Sequence, residues 1–275
     1  MKTTSKIILA AVCVAAVLYE YMQNSQQASA GTPGAGRVAA AAGTNAYYRV
    51  DVRGSVPRTQ TVQYKAYESC YHNGWRQPVW VGYELTAEEA VATAVDRKGR
   101  QFYPDPATPG APDKSQSFGK FGFDKGHMMP CMDARWSEEA MSSSFSYVNC
   151  CPQFPNLNQG IWRRLEEKVN QMAVKYGCMY VSAGPIVPAD APRFGAEPGI
   201  AVPSHFFKVL CYERADGWHA TAFLFPNAAC SGSMFDYTLT VDSLESLTGY
   251  DFLYNLPDDL ENQVEAAPFR AKYWQ

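Results

Sequence analysis

The sequence predicts an α+β fold in which a mixed or antiparallel central sheet is flanked by helices, and three observations point to it. Short segments alternate apolar and polar residues: Tyr48, Val50 and Val52, then Val62, Tyr64 and Ala66. That period of two suits strands exposed on one face. Apolar runs over 145–150 and 178–186 read as strands of the interior. Residues 157–176 carry Trp162, Leu165, Val169, Met172 and Tyr176 at steps of three and four, with Arg163, Arg164, Glu167 and Lys168 elsewhere. This is one apolar stripe on a helix.

The chain has 275 residues, 47% of them apolar and 19% charged. It can bury a sizeable core and needs no more than one or two domains. Two lysines precede the apolar run 7–18, which Tyr19 and Glu20 close. Residues 1–22 therefore read as a signal peptide or an uncleaved N-terminal anchor. A small-residue cleavage site, Ala28-Ser29-Ala30, follows, and the expected fate is secreted or periplasmic. Residues 23–46 are small, polar and glycine-rich, the composition of a flexible linker. The folded domain is expected over 47–275.

Net charge is -3 and the isoelectric point is near 5.8. A protein that held nucleic acid by phosphate neutralisation alone would be basic, so the balance disfavours a tight non-specific binder without disfavouring cleavage. Eight acidic residues and no lysine or arginine fall between 236 and 265, which reads as a solvated far face. The eight cysteines lack the short paired spacings of a structural zinc site. Adjacent Cys150 and Cys151 face opposite ways in a strand, which leaves one free to join a disulfide while the other is core.

In chain order, residues 78–85 read as a strand, and Thr86 with Glu89 makes a capping box for a helix over 87–95. Residues 96–117 are rich in proline, glycine and charge and read as a loop, which offers Arg97 or Arg100 to a site. A lead-in from 115 to 118 enters the histidine-bearing segment. Ser137, with Glu138 and Glu139 in the first turn, opens a short helix. Gly184-Pro185 is expected to turn the strand it ends, 188–203 to form another loop, and 242–247 a short helix.

The chemistry concentrates in 118–170. Gly122 and Gly126 bracket Phe123, Asp124 and Lys125, and a glycine directly before His127 permits a backbone shape or a close approach that a Cβ would resist. Imidazole is the side chain best suited to proton transfer near neutrality. Asn156 or Asn158 can cap the following helix. Alternatively, the Asn158 amide oxygen can ligate a hard cation, with Glu166 two turns on engaging the ion's waters. Magnesium is held by few protein ligands and keeps several waters, which suits so sparse a set.

Several separated pieces of this stretch resemble the DNA/RNA non-specific endonuclease family. They are Asp124-Lys125-Gly126-His127, Val148-Asn149, Pro152-Gln153, and the run from Leu157-Asn158 through Trp162 to Leu165-Glu166. Asp133, Arg135 and Trp136 match between them. Val202-Pro203-Ser204-His205-Phe206-Phe207-Lys208-Val209 and Leu247-Thr248-Gly249-Tyr250-Asp251-Phe252 match further on, so the likeness covers about residues 60–260. It implies a ββα-metal element and a Mg²⁺-dependent endonuclease, with Mn²⁺ as a substitute, that cuts DNA and RNA to leave 5′-phosphate ends. In that reading His127 is the general base, Asn158 the direct metal ligand, and Glu166 holds metal-bound water. Asn149 and Asp124 steady the histidine. Arg100, with Arg97 as competitor, stabilises the transition state, Lys125 faces the substrate, and Arg135 either contacts substrate phosphate or forms a structural salt bridge. Lys125 stands where arginine is usual; it keeps the charge and loses the planar fork, which bears on efficiency or substrate grip rather than mechanism. The resemblance also raises a homodimer, a mitochondrial intermembrane location, and membrane attachment through 7–18 where that run is retained. His72, His205 and His219 read as structural. The alternative is a weak or silent relative that binds nucleic acid or serves an assembly.

Overall fold

Seven antiparallel strands form the spine of the computed structural model, which describes residues 46–274 apart from 53, 107, 109 and 113–116. A short β1 (Val50–Asp51) precedes a meander of β2 (Thr59–Gln63), β3 (Glu68–His72) and β4 (Gln77–Thr86). Thr86 ends the strand and caps helix α1 (Ala87–Val91): its hydroxyl accepts from the Glu89 amide while the Glu89 carboxylate accepts from its own. The predicted capping box is present. The helix stops short of residue 95 because Ala92 already turns extended.

Past the loop, β5 (Asp124–His127) and β6 (Cys150–Gln153) pair as a separate antiparallel ribbon, with α2 (Glu138–Ser144) between them in sequence. Ser137 caps α2 through the Ala140 amide. The expected strand over 145–150 is displaced. Tyr147–Asn149 form a 3₁₀ turn capped by Ser146, and pairing begins at Cys150. An apolar run reports burial, and burial alone does not separate a packed turn from a strand.

Helix α3 (Arg163–Tyr176) ends at Gly177, as predicted. β7 (Cys178–Ile186) then runs straight through Gly184 and Pro185, which pair with Phe207 and Phe206 instead of turning. The reason is close approach: a Cβ on Gly184 would lie 2.3 Å from the Val79 carbonyl oxygen. The loop over 188–203 contains a small pair, β8 (Arg193–Phe194) and β9 (Ile200–Ala201). A long hairpin follows, β10 (His205–Arg214) and β11 (Gly217–Pro226). β12 (Thr238–Leu239), α4 (Val241–Thr248), β13 (Asp251–Phe252) and α5 (Asp258–Glu265) complete the regular elements. The sheet order is β12-β11-β10-β7-β4-β3-β2, and β13 pairs separately with β1.

The sheet is covered on both faces. α3 buries Leu165, Val169 and Met172 against it, at about 1.5–3 kcal/mol for each side chain taken from water. Alternation along β10 sends Phe206 and Lys208 to the α3 side, where both meet Trp162. Phe207 goes to the opposite side, against Phe252. The seven described cysteines are all free, Cys150 and Cys151 included, and the buried core leaves no need for a staple. Among the described residues no helix is long and apolar enough to cross a membrane. The leader 1–22 and nearly all of the linker 23–46 lie outside the described residues.

Candidate active site

The β5–β6 register sets Asp124 opposite Gln153, Gly126 opposite Cys151 and His127 opposite Cys150. A Cβ on Gly126 would fall 2.0 Å from the Gln153 side-chain oxygen, so close approach is what the glycine before His127 provides. The His127 ring sits between Phe102 and Phe145, with centroids 4.7 and 5.1 Å away. Its Nε2 is shielded and has no hydrogen-bond partner among the described residues. Burial, followed by the positive charge of Arg97, pushes the imidazole pKa down to about 3. The ring is neutral at physiological pH and keeps a lone pair for a proton.

Asn149 is wholly buried and spends its amide on the segment just after the histidine. Its Oδ1 accepts from the Met129 amide at 2.8 Å, and its Nδ2 donates to the carbonyls of Met129 and Ser144 at 2.8 and 2.9 Å. Its own carbonyl accepts from the Met128 amide at 3.0 Å. Three of these bonds brace the exit from β5 just past His127, and the fourth ties it to the end of α2.

The helical segment starts irregularly. Leu157–Trp162 form a π-type turn with Gly160 at φ -100° and ψ -113°, and Asn156 makes no side-chain cap. The Asn158 side chain does not cap either: its Nδ2 donates to Asp124 Oδ2 at 2.9 Å, and Gln159 Nε2 donates to the same oxygen at 2.7 Å. Such turns recur at functional sites because they redirect side chains out of the helical ladder. Trp162 Nε1 donates to the His127 carbonyl at 3.3 Å, which ties the helix start to β5. With its NH₂ end held by a carboxylate, Asn158 keeps a carbonyl oxygen that forms no hydrogen bond among the described residues. That oxygen beside Asp124 is a hard donor set, which fits a magnesium-type cation.

Glu166 is 8% exposed, and Lys208, at 0%, lies with Nζ 3.9 Å from Glu166 Oε1 and 4.4 Å from the centre of the Trp162 ring. Asp133 is buried nearby, bonded by Tyr83 Oη at 3.2 Å and Asn170 Nδ2 at 3.1 Å. Burial raises both carboxyls, Glu166 to about 7 and Asp133 to about 6, against the charge of Lys208. Burial also lowers the Lys208 pKa. Glu166 Oε1 and Lys208 Nζ are shielded without hydrogen-bond partners among the described residues. Sequence reasoning assigned Lys208 no role, although a lysine inside the apolar run Phe206-Phe207-Lys208-Val209 was a visible signal. Gln159 was missed as well, because glutamine on a helix carries no such signal.

The two candidate arginines occupy different surroundings. Arg100 donates to Glu138 Oε1 at 2.5 Å and to the Asp96 carbonyl at 3.2 Å, so its guanidinium is engaged at the surface. Arg97 is exposed, lies 5.8 Å from the centre of the Phe145 ring that flanks His127, and is the charge felt by that histidine. Geometry therefore favours Arg97 over Arg100. Lys125 Nζ stands 5.7 and 5.5 Å from the rings of Phe102 and Tyr147, on the same aromatic bed. The Arg135 carbonyl accepts from the Val95 amide, and its side chain forms no ion pair among the described residues. His72 accepts from the Trp75 amide, His205 meets Ser204 and His219 meets Asp216, as expected of structural histidines.

The profile of the family described as DNA/RNA non-specific endonuclease matches residues 45–259. The chain is similar to the mitochondrial nuclease of Saccharomyces cerevisiae, 32% identical over 69% of this chain and 64% of that protein. It is 29% identical to the mitochondrial endonuclease G of Homo sapiens, over 70% of this chain and 69% of that protein. A solved chain from an EndoG/EndoGI complex superposes with a TM-score of 0.68 at 26% identity, covering 73% of this chain and 88% of that one. With the family profile spanning the ribbon, the irregular helix start and the whole sheet, this chain belongs to the DNA/RNA non-specific endonuclease family.

Proposed function

We propose that this protein is a Mg²⁺-dependent, sugar-non-specific endonuclease with His127 as general base. The observation that carries the reading is the convergence of a neutral histidine, the Asp124–Asn158 pair and Arg97 on one ribbon-and-helix unit. The His127 imidazole takes a proton from water as the water oxygen attacks phosphorus, the P–O3′ bond breaks, and the 3′-oxygen takes a proton from solvent. The products are a 5′-phosphate and a 3′-hydroxyl. Asn158 would hold the cation through its carbonyl oxygen, and Glu166 would hold water around it. When bound, the ion supplies positive charge to the scissile phosphate and the departing oxygen. Arg97 neutralises charge developing on phosphorus. Only the backbone is engaged, so DNA and RNA are both substrates, with little base readout.

The chain lacking residues 1–46, incubated with supercoiled plasmid or single-stranded RNA and Mg²⁺, cuts both, and excess chelator stops it. Intact substrates across several divalent ions would instead favour the silent binding relative. The same assay separates the arginines. Arg97→Ala lowers kcat/KM by roughly 100-fold, the scale of one lost transition-state donor, and Arg100→Ala changes it by less than about 3-fold. Equal losses would remove the assignment to Arg97.

The relatives named above for yeast and human are mitochondrial by name. Their names support a mitochondrial location for this protein in place of the secreted or periplasmic expectation.

A further inference from the structure

The acidic run from 236 to 265 is not simply a solvated face. α4 places Asp242 and Glu245 three residues apart, on one side of the helix. α5 brings Glu265 to them from its last position. One carboxylate oxygen from each of the three lies within 4.8 Å of the others. Asp242 is exposed, whereas Glu265 is 5% exposed with its Oε1 shielded and without a hydrogen-bond partner among the described residues. Glu245 is held in place, since its Oε1 accepts from the Phe252 amide at 2.7 Å. The run itself contains no lysine or arginine. Burial, then Glu245, Glu261, Asp242 and Asp251, push the Glu265 carboxyl up to about 9. A carboxyl set this way is relieved by a proton or by a cation, and two neighbouring carboxylates at hand favour the cation.

We propose that Asp242, Glu245 and Glu265 form a second divalent-cation site, for calcium by preference, that ties α4 to α5 apart from the catalytic ribbon. Three carboxylates from two helices, one side open to water, suit an ion that accepts six to eight oxygens in flexible geometry; magnesium demands a near-ideal octahedron and uses fewer carboxylates. The site lies on the face of the sheet opposite α3. Glu245 bonds to Phe252, and Phe252 packs on Phe207, whose neighbour Lys208 points the other way. Its role is to brace the end of the chain against the sheet.

The test uses the full chain carrying Asn158→Ala, so that retained calcium is not credited to the catalytic ribbon. Equilibrium dialysis with radiolabelled calcium retains one equivalent. Calcium at about 100 times Kd raises Tm by roughly 5–10 °C. Glu265→Gln and, separately, Asp242→Asn abolish both effects while circular dichroism and Mg²⁺-dependent nuclease activity in the otherwise unaltered chain persist. Asp242 is exposed, so its variant folds even if the buried substitution does not. Retention by both variants equal to that of the parent overturns the proposal. So does an absence of retained calcium together with a calcium-independent rise in Tm on Glu265→Gln, which would make Glu265 a protonated carboxyl.

Discussion

His127→Ala lowers kcat/KM on plasmid DNA and on single-stranded RNA by about 10³-fold, the middle of the range for loss of a positioned general base. The variant retains the far-ultraviolet circular dichroism of the parent, because the ribbon is held by the Asn149 bonds to Met128 and Met129 and not by the ring. Residual activity within 10-fold of the parent would remove His127 from the base role. The pH profile carries independent information. Burial and Arg97 hold the imidazole pKa near 3 in the free enzyme, so the base form persists below pH 6.5 and the acid limb lies beneath that of free imidazole. Arg97→Ala removes a repelling positive charge and shifts that limb to higher pH; an unmoved limb would contradict the electrostatic link. The same depression acts on stability. The unfolded chain binds a proton near pH 6.5 that the folded chain refuses until about pH 3, so this group's contribution is lost as pH falls through that window.

Lys208→Met destabilises the fold by about 3–5 kcal/mol at pH 8, the cost of leaving a buried charge without its partner. Methionine fills similar space, so the loss reports charge and not a cavity. Glu166 and Asp133, already raised to about 7 and 6 by burial, rise further without the ammonium. At pH 5 both are protonated and the destabilisation shrinks; at pH 8 they must ionise without a counter-charge or take up protons at a cost. Urea midpoints at the two pH values measure this difference. The double variant Glu166→Gln/Lys208→Met regains much of the lost stability, since a buried amide replaces an unpaired carboxylate, yet it remains weakly active because the water-holding carboxylate is gone. A pH-independent loss, or recovery of activity with stability, would show that Lys208 is only packing.

The sequence carried most of the architecture where periodicity was long. The stripe from Trp162 to Tyr176 predicted α3, the Thr86–Glu89 pair predicted the cap of α1, and the strand at 178–186 appeared within its predicted bounds. Elements failed where a local pattern had two physical causes. Apolar 145–150 reflected burial of a turn, and Gly184-Pro185 reflected close packing inside a strand. At the site, the residue types at 124, 127, 149, 158 and 166 were legible because the chemistry of proton transfer and cation binding limits which side chains serve. Their partners were not legible. Asn158 could have capped a helix, and only the fold shows it bonded to Asp124 across 34 positions.

By itself the sequence determined the family, the α+β class and the identity of the chemical groups, because these depend on residue type and on spacing along one helix or strand. Tertiary structure alone decided that Arg97 rather than Arg100 stands by His127, that Lys208 meets Glu166 in the core, and that Glu265 joins Asp242 and Glu245. Each of these is an electrostatic contact between elements distant in the chain. Its sign and strength depend on separation and burial, quantities that exist only once the chain has folded.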